Sequence, residues 1–119
     1  MSSVWHSYWN VANPAAGTVL ANWTPAAGAG TYEVDIYPCV SGTLILSDMD
    51  NLGVYLTNGA GTTLLTRVPM PALVNLPINR ITVYPVFTAI TDYLEIKTIS
   101  GSGLLSSYRG LAVGKPAQF

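Results

Sequence analysis

Charge is what this sequence lacks most. Asp, Glu, Lys and Arg together supply 9% of its 119 residues, and the net charge is −1. An ordinary soluble domain carries about 25% charged residues. The five basic residues, Arg67, Arg80, Lys97, Arg109 and Lys115, form no run, which argues against the basic patch or stripe that nucleic-acid binding uses. Cysteine is represented by Cys39 alone, so no intramolecular disulfide framework holds the fold. Its apolar run, Tyr37-Pro38-Cys39-Val40, suits a small buried hydrophobe better than a reactive thiol, which needs a neighbouring cation or helix N-terminus. No run approaches the ~18 apolar residues of a membrane-spanning helix, and the first ten residues lack the basic start and apolar stretch of a signal peptide. Assembly in a cytoplasm is therefore expected, with no membrane partner.

What is abundant is apolar material. Half of the residues are hydrophobic and the mean hydropathy is +0.37. A domain of this size has a high surface-to-volume ratio, so one core cannot hide all of it. The rest is expected to face other protein subunits.

The composition changes near residue 30. Residues 1–30 hold Trp5, Trp9 and Trp23 and no charged residue. Gly and Pro punctuate this stretch and disfavour long helices. It reads as an extended N-terminal arm with one short strand at 18–23, separable from a domain over 31–114. Removal of residues 1–24 is then expected to leave that domain folded. Residues 115–119 read as an irregular tail.

The domain itself reads as successive strands. Tyr32, Val34 and Ile36 alternate with Glu33, Asp35 and Tyr37, the period-two signature of a half-buried strand. Pro38 marks an edge or bulge. A short apolar piece at 43–46 extends that hairpin, and Asp48-Met49-Asp50-Asn51 is turn chemistry. Strands at 52–57 and 64–68 flank Asn58-Gly59-Ala60-Gly61, a strong hairpin signal. Pro69, Pro71 and Pro77 fill a connection. Alternation resumes over 80–87, where Pro85 marks another edge or bulge, and over 93–99. Gly101-Ser102-Gly103 turns the chain into a last strand at 104–113. Seven or eight strands with turns every 8–12 residues predict an all-β antiparallel sandwich or barrel.

Catalytic and metal signals are weak. His6 is the single histidine, and it lies in the presumed arm, where nothing fixes the geometry a nucleophilic triad needs. Asp48, Asp50 and Asn51 approach a calcium pattern but lack its glycine and late glutamate, so a turn is preferred. Glu33 and Asp35 project from one strand face about 7 Å apart. Such pairs can hydrolyse glycosides, yet a solvated strand face is the commoner reading. Glu95 and Lys97 read as a surface pair. No enzyme, cofactor or metal site is expected. The aromatics Trp5, Tyr8, Trp9 and Trp23 are candidate subunit-interface residues, since Trp and Tyr dominate interface hot spots. Packing in the chain's own core and stacking on a ligand are the alternatives.

Gly30-Thr31-Tyr32-Glu33-Val34 leads to Asp50-Asn51-Leu52-Gly53-Val54-Tyr55, then to Arg80-Ile81-Thr82-Val83-Tyr84, and ends in Tyr108-Arg109-Gly110-Leu111-Ala112-Val113. This series resembles the small β-sandwich virion proteins of tailed bacteriophages, over roughly residues 30–113. The resemblance implies a jelly-roll-like sandwich that serves as a capsid decoration (cement) or minor capsid protein. It implies contacts with the major capsid protein and with copies of itself, a trimer being favoured, and a place in the virion. Immunoglobulin-like strand order fits the same strand pattern. The alternative function is a receptor- or carbohydrate-binding module of a tail fibre or spike, with Tyr37, Tyr55, Tyr84 and Tyr93 as the aromatic face.

Overall fold

The computed structural model describes residues 4–12, 15–42, 52–68, 80–99 and 106–118, with side chains at all of these except 39–42, 68 and 106–108. Among the described residues every regular element is a β-strand. The strands are β1 Trp5–Ala12, β2 Val19–Trp23, β3 Gly30–Gly42, β4 Leu52–Asn58, β5 Gly61–Val68, β6 Ile81–Val83, β7 Val86–Phe87, β8 Tyr93–Thr98 and β9 Ser106–Pro116. No helix of the described residues is long and apolar enough to cross a membrane.

Two antiparallel sheets face each other. The first has the order β1-β9-β3-β6, with β7 also paired to β3, and the second has the order β2-β8-β4-β5. The pairing is nested. β4 joins β5 through the hairpin, β3 joins β6 and β7, β2 joins β8, and β1 joins β9. A long antiparallel ribbon wound in this way is a jelly roll, whose coiling separates the two sheets. Strand order thus decides between the two sandwich types that the sequence pattern left open.

The hairpin at Asn58–Gly61 is as its residues predict. The Asn58 side chain accepts a hydrogen bond from the Ala60 N–H at 2.8 Å, and Gly61 takes a positive φ of 119°. Pro85 separates β6 from β7, and its carbonyl accepts from the Tyr32 N–H. Pro38 lies past the stretch 34–36 that pairs with β6, where β3 has a described partner on one side only. The expected turn and possible cation site at 48–51, the short strand at 43–46, the proline connection and the Gly101–Gly103 turn lie outside the described residues, as does the Cys39 side chain.

Residues 1–30 differ from the expected arm. β1 pairs with β9 over eight residues, from Trp5↔Gly114 to Ala12↔Ser107, and β2 pairs with β8. Trp9 and Trp23 belong to the buried core. The connection between β1 and β2 is tied down by Thr98, which is itself buried. Its hydroxyl donates to the Ala15 carbonyl at 2.6 Å and accepts from the Thr18 N–H at 2.9 Å. A segment without charge reads as an arm because charge normally marks the outer face of a strand, and here that face carries Tyr8, Asn10 and His6 instead. The C-terminal boundary moves too. β9 continues to Pro116, because Lys115 and Pro116 pair with Glu33 and Tyr32.

The core is organised around tryptophans. Trp23 of the second sheet stacks parallel on Trp5 of the first, with centroids 5.2 Å apart. It meets Tyr32 and Phe87 edge-on at 5.3 and 5.7 Å. Offset and edge-to-face geometries of this kind add to the gain from burial. β9 makes room with small residues. A methyl built on Gly114 would lie 2.7 Å from the Trp23 ring, and one on Gly110 would lie 2.6 Å from Trp9 Cε2. Neither contact can be met without moving an aromatic ring.

Two outcomes follow for stability. Removing residues 1–24 deletes an edge strand from each sheet and two core tryptophans, so the remainder should lose its cooperative urea transition, and Trp23→Ala alone should cost about 3–5 kcal/mol. Gly110→Ala should cost about 1–3 kcal/mol through overpacking against Trp9, read as a lower midpoint at unchanged slope.

Candidate functional site

The outer face of the first sheet can be built row by row from the register. Along β1, Trp5, Trp9 and Val11 turn toward the core, and His6, Tyr8 and Asn10 are exposed. Tyr8 stands opposite Leu111 of β9, and Leu111 stands opposite Tyr37 of β3. Tyr8 is 79% exposed and Tyr37 41%, with neighbouring strands about 5 Å apart. The result is an aromatic–aliphatic–aromatic row across three strands, open to solvent. The next row is His6, Val113, Asp35 and Thr82.

The row is exposed because of what lies beneath it. In Gly110-Leu111-Ala112-Val113-Gly114, the small residues turn inward to accommodate Trp9 and Trp23. Leu111 and Val113 are left on the outside, each half-buried.

Polar groups flank the row. The Thr82 hydroxyl donates to Asp35 Oδ1 at 2.6 Å, and Asp35 is 6% exposed. Arg80 lies beside them. A hydrogen bond with the Tyr37 side chain and then the Asp35 charge hold its guanidinium pKa above its ordinary value. Lys115 approaches Glu33 at 3.6 Å. Glu33 and Asp35 are therefore not a bare solvated pair, since each has its own partner. His6 is two strands from Asp35, about 10 Å by strand spacing, and these two do not form a hydrogen-bonded dyad. Among the described residues no three His, Cys, Asp or Glu side chains cluster to hold a metal.

A depression of about 520 Å³ runs beside this face, lined by Tyr8, Trp9, Asn10, Arg109 and Gly110. The Trp9 indole N–H is buried and has no acceptor among the described residues. A second depression, of about 350 Å³, lies at β2 and β8 between Asn22, Trp23, Thr24, Tyr93 and Glu95.

Of the four aromatics predicted for a subunit interface, the structure presents Tyr8 alone to solvent. Trp9 and Trp23 are 6% and 7% exposed and fill the core, while Trp5 is half-buried against Trp23. Burial between the sheets makes Trp9 and Trp23 core residues, each with only a small exposed edge at one of the two depressions. The four tyrosines considered for sugar stacking do not share a face. Tyr37 lies on the first sheet and Tyr84 follows β6 of that sheet, whereas Tyr55 and Tyr93 are on the second sheet. Tyr55 is moreover covered by Lys97, whose Nζ is 4.6 Å from the ring centroid. Lys97 also approaches Glu95 at 3.9 Å, the surface pair that the sequence predicts. Leu111 was not readable as a surface residue, since only cross-strand register shows which way it points.

No protein-family model and no curated protein matches this chain.

The loop between β7 and β8 is fixed by Asp92, which is 1% exposed. Its Oδ2 accepts from the Thr88 N–H at 2.7 Å, the Thr88 hydroxyl at 2.9 Å and the Ala89 N–H at 3.2 Å. The Thr88 N–H contributes most to holding the carboxyl below its ordinary value of 3.8. A folded pKa below the unfolded one means the unfolded chain takes up the proton first, so acid favours unfolding. Asp92→Ala should lower the melting temperature at pH 7. Its difference from the parent should persist down to about pH 4 and shrink below that, measured by thermal melts across pH.

Proposed function

We propose that this protein is a non-enzymatic structural subunit, a decoration or minor capsid protein of a bacteriophage virion, docking on the shell and on copies of itself. The observation that carries the reading is the exposed apolar row Tyr8–Leu111–Tyr37 on a chain with 9% charged residues. Elsewhere Ile90, Val86 and Tyr84 are also more than half exposed. Contiguous apolar surface of this kind marks protein–protein contact. The jelly roll is used by viral capsid proteins and by lectins alike, so it supports the class by analogy alone. Docking would be mechanical, with apolar burial contributing about 25 cal/mol per Å² against the cost of association.

A glycan-binding module is the second reading, favoured by the depression at Asn22, Tyr93 and Glu95. It is the weaker one, because the tyrosines are divided between opposite faces.

The test is to raise an antibody against the chain and probe density-gradient-purified virions from its source. The protein should co-band with intact particles and stay with shells emptied of DNA. Recovery from the soluble fraction alone, together with hits on a glycan array, would overturn the reading in favour of the second.

A further inference from the structure

Each sheet of an open sandwich has two edges, and edge strands invite pairing with other chains unless something blocks them. Among the described residues, three of the four outermost strands are blocked. β6 is three residues long and is followed by Tyr84-Pro85. β2 has five residues and a register shift at Leu20, between Val19 and Ala21. β5 carries Arg67, and its register with β4 shifts at Leu65. Bulges and charges are recognised devices against strand addition.

β1 has none of these devices. It runs eight residues, Trp5-His6-Ser7-Tyr8-Trp9-Asn10-Val11-Ala12, with no proline, no glycine and no charged residue. It pairs one-for-one with β9 without a shift. Among the described residues no strand pairs with its other side. In an antiparallel ladder alternate residues direct both their N–H and C=O toward one neighbour, so every second residue of β1 offers an open donor and acceptor.

We propose that β1 pairs antiparallel with β1 of a second copy across a two-fold axis, joining the two first sheets into one. The proposal rests on the self-association part of the function above and names its surface. Two-fold pairing requires the two sheet faces to stay continuous. Paired residues must then share the same parity, so the axis passes through a residue rather than between two. Tyr8 meets this condition near the strand's middle. It faces Tyr8 of the second copy, with His6 opposite Asn10 and Trp5 opposite Val11. A second copy is the occupant because the strand is uncharged and self-complementary, and because a net charge of −1 offers little repulsion. The apolar row then doubles in length across the axis. The depression at Tyr8, Trp9 and Asn10 adjoins the same centre, leaving it accessible. Two-fold closure makes a dimer, which departs from the trimer implied by the resemblance.

The experiment is size exclusion with light scattering from about 10 µM to 1 mM, the range suited to a small interface. The parent chain should reach twice its 12.6 kDa mass. Tyr8→Lys sets two ammonium groups opposite each other, which destabilises strand pairing, and should be monomeric throughout. Ile90→Lys, at a similarly exposed site, should dimerise like the parent. Both variants should melt like the parent at low concentration. As a second measurement, Tyr8→Cys in a Cys39→Ser background should give a disulfide-linked dimer on mild oxidation. Directly opposed residues lie about 4.5–5.5 Å apart, within disulfide range. A monomeric parent at 1 mM, a trimer, or a dimer that survives Tyr8→Lys would overturn the proposal. The last two leave the virion reading standing, whereas a Tyr8-dependent dimer absent from virions would overturn that reading alone.

Discussion

The contact on which the rest depends is that of Trp23 with the opposite sheet. Its ring comes from β2, yet its neighbours, Trp5, Tyr32, Phe87 and Gly114, all belong to the first sheet. Burying an indole of this size between sheets demands a small residue across from it, and β9 supplies Gly114, while its Gly110 makes room for Trp9 of the neighbouring strand. The larger residues of that strand, Leu111 and Val113, are thereby left outside. The surface row is thus a consequence of how the core is filled. A side chain chosen for packing in one sheet decides what the other sheet shows to solvent.

Much of the fold was legible because it rests on period-two patterning. Tyr32, Val34 and Ile36 are buried as their alternation predicts, and the Asn58–Gly61 turn and the Pro85 break fall where their chemistry requires. The N-terminal thirty residues were less legible for a physical reason. Their strands carry no charge on the outer face, so the usual contrast between faces is missing. β9 misleads in the opposite sense, since its small residues point inward and its large ones outward. Of the candidate site, Tyr8 was visible in the sequence. Leu111 and Arg80 were not, because they join it through register across strands that are distant in sequence.

Low charge, an exposed apolar row and an edge without a described partner are the features on which the proposed protein contact rests, and all three converge on β1. One face of that strand carries Trp9 and Trp5 into the core, and its other face carries Tyr8. One edge is bonded to β9 and the other has no partner strand among the described residues. In the proposed dimer the same eight residues would serve both stability and association, which would couple the two. A change on the inner face, such as loss of Trp9, would disturb partner contact as well, whereas a change at Tyr8 should act on association alone.

Residue-resolved amide hydrogen exchange along β1 tests this account most directly. The amides of Trp5–Ala12 should alternate at low concentration, slow where they bond to β9 and fast where they face outward. The fast set should become protected as the concentration rises. Uniformly fast exchange across the segment would mean that it is an arm and not part of the sheet. Alternation unchanged up to the highest concentration would mean that the open edge has no partner in a second copy.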